Sequence, residues 1–290
     1  MQTTHYNEFS HKLGHAYRIA VVADTHGFKN DRVFRNLKDN KPDIIFCLGD
    51  IVYGAVIRNQ SFPRGKNWLN EFPYAVELIK TLPTIAPTYF VYGNHEWLLS
   101  EDDVRLLQES GMKILDNEWV NHGELLIGGL SAADVTNYWT FKKRFYASYP
   151  NYKEGNLERE YIAGDSYENR KAPDSSWLPE FEEQNGYKIL LCHHPEYWAV
   201  QNPYLKDRRI DLVLAGHSHG GQVRIFGQGF YTSGQGRFPK YTAGVHEGQY
   251  GKMIVSRGLS NTSKIPRLFN PIEMVYVNLK GNTKNGRENA

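Results

Sequence analysis

Short apolar runs recur along this chain, and each one ends in or beside glycine, aspartate, asparagine or histidine. The runs are YRIAVVADTHG, PDIIFCLGDIVYG, PTYFVYGNHE, ELLIGGLSAAD, YKILLCHHPE, IDLVLAGHSHGG, GKMIVSRGLS and IEMVYVNLK. Runs of four to eight apolar residues bounded by turn-forming residues are typical of strands that are buried on both faces. The chain must therefore fold around sheets that other layers cover.

Helical patterns lie between the early runs, at 31–40, 74–82 and 101–110. Ser100 is a suitable N-cap for the last of them, and the acidic first turn that follows suits the helix dipole. Strands and helices alternate through the first half, while strands dominate the last third. This order predicts layered sheets flanked by helices and excludes a helix bundle or a pure β-sandwich.

The length of 290 residues with 40% hydrophobic content supports one large domain. We expect a single domain over 1–280, with an insertion at about 137–177 and a flexible tail at 281–290. The insertion is polar, tyrosine-rich and weakly periodic, and it could be a surface excursion or a cap over an active site. The N-terminal histidines at 5, 11 and 15 are expected to be solvated.

Charge and cysteine usage narrow the function classes. The formal net charge is +2 and no stripe of Lys and Arg is present, so we expect no nucleic-acid partner. Cys47 and Cys192 lie inside apolar runs, which favours buried thiols in a reducing compartment over a disulfide framework. No window reaches about 18 uninterrupted apolar residues, so we expect no membrane span. A cytoplasmic location is expected, with peripheral membrane association and the oligomeric state left open.

Metal-binding side chains cluster at the ends of the apolar runs, which is the sheet edge where open α/β proteins assemble their sites. The donors are Asp24, His26, Asp50, Asn94, His95, Glu96, His193, His194, His217 and His219. Each residue alone has an ordinary explanation as a turn, cap or hydrogen-bonded core residue. A metal site, in contrast, predicts all of them together.

Two donor pairs are separated by a single residue, Asp24 with His26 and His217 with His219. In an extended segment such side chains point the same way, so each pair could chelate one ion or be shared between two. Carboxylate, imidazole and amide donors together favour Zn, Mn or Fe over Ca or Mg. Two ions about 3.5–4 Å apart would need a bridging carboxylate and would suit phosphoryl transfer.

The series DTH, GDIV, GNHE, HHPE and GHSHGGQ resembles the pattern of the calcineurin-like metallophosphoesterase superfamily. All five blocks occur in order between residues 24 and 219. The resemblance implies an α/β fold, a four-layer α/β/β/α sandwich of two mixed sheets flanked by helices. It also implies a phosphohydrolase with two divalent or trivalent ions of Mn, Fe or Zn.

The resemblance also implies residue roles. Its first metal site matches Asp24, His26, Asp50 and His219. Its second site matches the bridging Asp50 with Asn94, His193 and His217. His193 is preferred to His194 because it comes first after the strand. His95 matches the general acid, which Glu96 or Asp24 could orient, and the implied nucleophile is a metal-bound hydroxide that attacks in line.

The GHSHGGQ ending resembles a branch that includes bacterial membrane-associated phosphodiesterases and a UDP-diacylglucosamine pyrophosphatase. It implies cleavage of a phosphate ester, most readily a diester, or of a pyrophosphate bond in a small phosphorylated substrate, nucleotide or lipid-linked. A cyclic-nucleotide phosphodiesterase and a phosphomonoesterase remain alternatives. A phosphoprotein phosphatase ranks lower, because it resembles a branch with an arginine beside the second block and different C-terminal elements. A non-catalytic scaffold also ranks lower, because every ligand position and His95 are filled.

Four further residues are candidates for substrate binding. Arg224 and Arg257, like Arg267, could reach a phosphate through a bidentate guanidinium fork. His246 could line the pocket. The alternatives are structural roles for the arginines and a surface loop for the histidine.

Overall fold

In the computed structural model of the protein, the described residues are 1–53, 68–133, 173–263 and 265–281. Within these residues the α-helices are α1 Asp31–Asn40, α2 Pro73–Ile85, α3 Glu101–Glu109 and α4 Leu178–Glu183. The strands are β1 Gln2–Phe9, β2 Tyr17–Val22, β3 Ile44–Cys47, β4 Thr88–Phe90, β5 Lys113–Ile114, β6 Glu118–His122, β7 Leu125–Leu130, β8 Tyr187–Cys192, β9 Leu212–Ala215, β10 Arg224–Ile225, β11 Gln228–Gly229, β12 Tyr231–Thr232, β13 Gly236–Arg237, β14 Gly244–Glu247, β15 Lys252–Val255 and β16 Glu273–Lys280.

Twelve of the strands form two six-stranded sheets. The first sheet has the order β1-β16-β2-β3-β4-β5 and the second has β14-β15-β9-β8-β7-β6. Strands β2 to β5 run parallel, as do β7, β8, β9 and β15, while β16, β6 and β14 join by antiparallel pairs. Both sheets are therefore mixed, and their parallel strands all end at one edge.

Alternate side chains of a strand point to opposite faces of its sheet, and in the central strands apolar layers cover both faces. This explains why these strands appear in the sequence as continuous apolar runs. In β2, Ile19 and Val21 point between the two sheets, while Ala20 and Val22 point outward under helices α1 and α2. In β8, Leu191 faces the inter-sheet core and Cys192 faces the outer layer that contains α4. The central strands β2, β3, β8 and β9 are thus covered on both faces. The predicted α/β/β/α order of four layers is confirmed.

The predicted helices are present with small changes of boundary. Ser100 caps α3, since its Oγ accepts a hydrogen bond from the Asp103 N–H at 3.2 Å and its own N–H donates to Asp103 Oδ2 at 2.8 Å. Cys47 and Cys192 are both free and buried, as expected.

His5, His11 and His15 are all exposed, as expected. The N-terminal segment also forms a strand that the sequence did not predict, because β1 pairs parallel with β16 from Gln2 opposite Glu273 to Phe9 opposite Lys280. The ring of His5 stacks on that of Tyr276 at 5.1 Å. Because β1 is an edge strand with mostly polar residues, it carries no apolar run by which the sequence could reveal it.

Most of the predicted insertion, 137–172, and the tail from 282 onward lie outside the described residues. Residues 173–177 lead into α4, which packs Leu178 and Phe181 against the second sheet. The single-domain organisation stays a prediction.

Candidate metal centre

The two sheets bring their strand ends together at one edge. Asp24 follows β2 and Asp50 follows β3 in the first sheet, while His193 follows β8 in the second. Nε2 of His193 lies 3.1 Å from Oδ2 of Asp50 and 4.0 Å from Oδ1 of Asp24. The donors therefore meet across the gap between the two sheets.

The predicted ligands fall into two neighbouring groups. In one, donor atoms of Asp24, His26 and His219 all lie within 4.8 Å of one another. In the other, the same limit holds for Asp50, His193 and His217. A third set joins the two groups through His26, Asp50 and His95.

Asn94 begins the short 3₁₀ helix Asn94–Leu98, which also carries His95. The side-chain Oδ1 of Asn94 is buried and has no hydrogen-bond partner among the described residues. A buried amide oxygen without a donor is costly, unless a ligand such as a cation meets it.

The backbone at these positions is strained. Five of the seven predicted ligands adopt positive φ, namely Asp24 at 54°, His26 at 49°, Asp50 at 52°, His217 at 64° and His219 at 45°. Non-glycine residues in this region cost about 1–3 kcal/mol each and collect at functional sites. The expectation that each pair shares a direction because its segment is extended is therefore wrong. Left-handed turns aim these side chains.

Two of the histidines have their tautomer fixed by backbone carbonyls. Nδ1 of His193 lies 2.7 Å from Leu48 O, and Nδ1 of His26 lies 3.1 Å from Val52 O. A carbonyl only accepts, so Nδ1 donates in both rings, and in the neutral rings Nε2 keeps its lone pair towards the cluster. This arrangement is typical of metal-binding histidines.

His219 is held from behind by Arg267, whose Nη2 lies 2.8 Å from Nδ1 of the histidine. A guanidinium only donates, so Nδ1 accepts and the neutral ring carries its proton on Nε2. That atom lies 3.1 Å from Nε2 of His26 and can donate to it. A metal ion at Nε2 would bind the other neutral tautomer, in which the proton lies on Nδ1 and Arg267 no longer donates to that atom.

Burial shapes the electrostatics of the cluster. Desolvation raises the pKa of Asp24 to about 7, with the Asp50 carboxylate adding to the effect and His193 opposing it. Desolvation also lowers the pKa of His26 and of His219 well below the ordinary value, assisted by His95 for the first and by Arg267 for the second. Neutral imidazoles are the form that binds metal.

These features fit a pair of divalent cations. The cluster offers neutral imidazoles with oriented lone pairs, two buried carboxylates and an amide oxygen without a donor. Asp24 and Asp50 are 0% and 1% exposed, and a cation would supply the charge compensation that their burial demands. Nitrogen and oxygen donors in this mixture suit Zn, Mn or Fe.

His95 lies beside the ligand groups and is only partly buried, with 21% of its side chain exposed. Its backbone N–H donates to Asp50 Oδ1 at 2.8 Å, and its Nε2 lies 3.8 Å from Asp50 Oδ2. The ring of Tyr53 lies 5.5 Å from that of His95 and 5.6 Å from that of His26. Asp50 is thus a carboxylate partner of His95 that the sequence did not suggest.

Three of the four candidates for substrate binding, Arg224, Arg257 and His246, lie outside these ligand groups. Arg224 donates to the carbonyl oxygens of Gly220 and Gly227 and to Thr242 Oγ1. Arg257 pairs with Glu273 at 2.9 Å and with Gln2 at 2.8 Å. The His246 ring packs edge-on against Tyr241 at 5.0 Å. Their assignment to substrate stays a prediction, and the contacts present are structural.

Sequence reasoning missed the roles of several residues around the site. Glu96 accepts from backbone N–H groups instead of orienting His95. Glu196 lies 3.5 Å from Nδ1 of His194, whose ring packs on that of His217 with centroids 4.1 Å apart. Both glutamates directly follow a predicted donor block, which is a usable signal. No sequence signal marks Tyr53, because it belongs to an apolar run.

The fold and this donor set define a class of protein. The profile of the calcineurin-like phosphoesterases matches residues 17–221, and the chain belongs to this family. Its members are metal-dependent hydrolases that act on phosphoester bonds, so the predicted family and enzyme class are confirmed.

Three relatives illustrate the range of similarity. A metallophosphoesterase of Aquifex aeolicus is 26% identical over 92% of this chain and 87% of its own length. The metallophosphoesterase YkoQ of Bacillus subtilis is 24% identical over 80% of this chain and 70% of its own. Phosphodiesterase YaeI of Escherichia coli is 24% identical over 72% of this chain, which spans 63% of that protein. Among the described residues, no helix is both long and apolar enough to cross a membrane.

Proposed function

We propose that the protein is a dinuclear metal-dependent phosphohydrolase, and specifically a phosphodiesterase. The observation that carries the proposal is the pair of donor groups that meet at Asp50. One ion would be held by Asp24, His26, Asp50 and His219. The other would be held by Asp50, Asn94, His193 and His217. Bound divalent ions supply charge neutralisation at the phosphate and activation of the attacking water.

His95 has the position of a proton donor to the leaving oxygen. Its ring is edge-on to that of His26 at 4.8 Å and partly open to solvent, so it borders the cluster on the accessible side. A histidine side chain can donate a proton near neutral pH. The backbone contact of His95 with Asp50 Oδ1 couples its position to that of the bridging carboxylate.

Cleavage of a diester is supported by the similarity to a relative named phosphodiesterase YaeI. The substrate class is a small phosphorylated compound, nucleotide or lipid-linked. Cys47 and Cys192, free and buried, support a reducing and therefore cytoplasmic setting.

The test is hydrolysis of bis-p-nitrophenyl phosphate with Mn²⁺, Fe²⁺ or Zn²⁺ added, compared with p-nitrophenyl phosphate. We expect metal-dependent turnover that favours the diester and falls by about 10²–10⁴-fold in His95→Ala. His15→Ala is the matched control, because this histidine is mostly exposed and pairs with Glu124 far along the chain. No metal-dependent turnover by the wild type would refute the enzyme proposal.

The dinuclear centre needs its own measurement. Metal content per chain, determined by elemental analysis after equilibration with Mn²⁺, should be two for the wild type. His219→Gln and His193→Gln should each lower the affinity for one ion, while His246→Gln should leave the content unchanged. A content of one ion in the wild type would contradict the dinuclear proposal.

A further inference from the structure

Three phenylalanines combine exposure with a strained backbone. Phe226, Phe238 and Phe269 have φ values of 50°, 52° and 53°, and their exposed fractions are 106%, 66% and 87%. A bulky residue in the left-handed region is a genuine outlier, tolerated where the surroundings impose it. These rings gain almost no burial in return. Folding stability therefore does not account for phenylalanine at these positions.

The turn at Phe226 shows how poorly phenylalanine suits the backbone conformation at these positions. Ile225 pairs with Gln228 in an antiparallel hairpin, so Phe226 and Gly227 form a two-residue turn, both with positive φ. Such turns favour Asn-Gly, because asparagine tolerates the left-handed region. This chain places a phenylalanine there and points it into solvent.

Hydrogen bonds between backbone groups join the segments that carry the three rings. Arg224 N–H donates to Leu268 O at 3.0 Å, which joins the first hairpin to the loop that carries Phe269. Phe230 N–H donates to Val223 O, and the rings of Phe230 and Phe238 meet at 5.5 Å. We call this the aromatic surface; its exposed members are Ile225, Phe226, Phe230, Phe238, Leu268 and Phe269.

The segments that form the aromatic surface carry side-chain charge of one sign. Residues 220–246 and 256–270 contain Lys and Arg but no Asp or Glu. The cations are Arg224, Arg237, Lys240, Arg257, Lys264 and Arg267. Arg257 is paired with Glu273, whereas Arg237 and Lys240, on either side of Phe238, are exposed. Exposed aromatic and aliphatic side chains next to cations are typical of surfaces that bind anionic lipid.

We propose that the aromatic surface docks the protein on an anionic lipid bilayer, with Phe226, Phe238 and Phe269 inserted among the lipid headgroups. Loop tips that project into solvent suit insertion into a soft interface. A second copy is a poorer occupant, since a symmetric dimer would place each set of cations against the same set.

Docking would hold the candidate metal centre close to the bilayer. The first hairpin begins five residues after His219, and Arg224 donates to Gly220 O in the turn that carries this histidine. Binding to lipid is independent of the proposed hydrolysis, and its test uses no phosphate-ester assay except as a control for folding.

The experiment is co-sedimentation of the full chain with vesicles of phosphatidylglycerol and, separately, of phosphatidylcholine. We expect binding to the anionic vesicles only, weakened by high salt. The triple variant Phe226→Asn, Phe238→Asn, Phe269→Asn should lose at least about tenfold in partitioning. Asparagine tolerates positive φ, so the variant should unfold at the same temperature as the wild type or higher.

Tyr204→Asn is the matched control. Tyr204 is exposed and also has positive φ, at 55°, but it precedes β9 and lies outside the segments that form the aromatic surface. The Tyr204→Asn variant should bind phosphatidylglycerol vesicles as strongly as the wild type. Absence of wild-type binding to phosphatidylglycerol would overturn the proposal, as would equal binding to both lipids. So would a dimer, seen by sedimentation velocity, that the triple variant abolishes.

Discussion

The carboxylate of Glu96 accepts hydrogen bonds from the backbone N–H groups of Asp50 and Ile51, each at 2.8 Å. A third bond comes from the N–H of Gly93 at 2.7 Å, and Glu96 is fully buried. The glutamate that follows His95 thus fixes the turn in which Asp50 adopts its positive φ. Glu96 positions the proposed bridging carboxylate without reaching the cluster itself.

Glu96→Gln should weaken both folding and hydrolysis. The amide NH₂ would replace one acceptor and confront a backbone donor, which lowers the free energy of unfolding by about 1–3 kcal/mol. Urea denaturation measures this loss, and metal-supported diester hydrolysis should fall with it. Glu124→Gln is the control, since that carboxylate accepts from the N–H groups of Gly14 and His15 far from the site. A wild-type denaturation midpoint for Glu96→Gln would contradict the proposed role.

Local patterns predicted layered sheets and donor residues at the strand ends, whereas the order of four layers and the metal-site roles came from the family resemblance. Each apolar run encodes a strand that is buried on both faces, and the polar residue at its end marks the sheet edge. The direction of the side chains could not be predicted, because the positive φ of Asp24 or His217 is imposed by contacts between segments far apart in sequence. Strand β1 was missed for a related reason: only its pairing with β16 makes it a strand.

The arginines show a different limit of the sequence. Arg224 and Arg257 are chemically able to bind phosphate, yet their guanidinium groups contact carbonyl oxygens and Glu273 in the fold. Nothing in the sequence favours Arg267 over these two arginines, yet Arg267 contacts His219 directly. The residue type alone could not distinguish these cases, because the partners of a long side chain depend on tertiary packing.

Tyr53 should act through its ring, which lies against both His26 and His95. Its hydroxyl donates to Thr262 O at 3.2 Å, at the edge of the site. Tyr53→Phe keeps the ring and should retain kcat, whereas Tyr53→Ala leaves His95 unsupported. Misplacement of a catalytic group can cost up to about 100-fold. Steady-state kinetics of the two variants test this prediction. An equal loss of kcat in both variants would mean that the Tyr53 hydroxyl, and not its ring, supports hydrolysis.

Removal of the metal should destabilise the protein. The size of this effect in variants should distinguish residues that bind metal from the proposed proton donor, His95. An ion at 100 times its Kd stabilises the folded state by about 2.7 kcal/mol, so EDTA should lower the melting temperature and Mn²⁺ should restore it. His193→Gln should reduce this shift. His95→Ala should keep it in full, because His95 is proposed to donate a proton and not to hold an ion. Loss of the shift in His95→Ala would place this histidine among the ligands.

Gly220 permits the turn that carries His219. Alanine variants of Gly220 and Gly227 distinguish the cost of backbone strain from the cost of steric contact with neighbouring atoms. Gly220 and Gly227 both have positive φ, at 66° and 81°. A Cβ on Gly220 would lie 2.2 Å from Oδ1 of Asn270, whereas one on Gly227 would meet nothing within 4 Å. Nδ2 of Asn270 donates to His219 O at 2.7 Å and Gln222 O at 3.1 Å, so a displaced Asn270 would release the turn.

Gly227→Ala should therefore cost only the backbone strain, about 1–2 kcal/mol. Gly220→Ala should cost about 1–3 kcal/mol more, because the core around Asn270 must shift. Urea denaturation of both variants gives the difference, and the Mn²⁺ content should fall only in Gly220→Ala. Equal destabilisation with equal metal content would mean that Asn270 does not support the turn at His219.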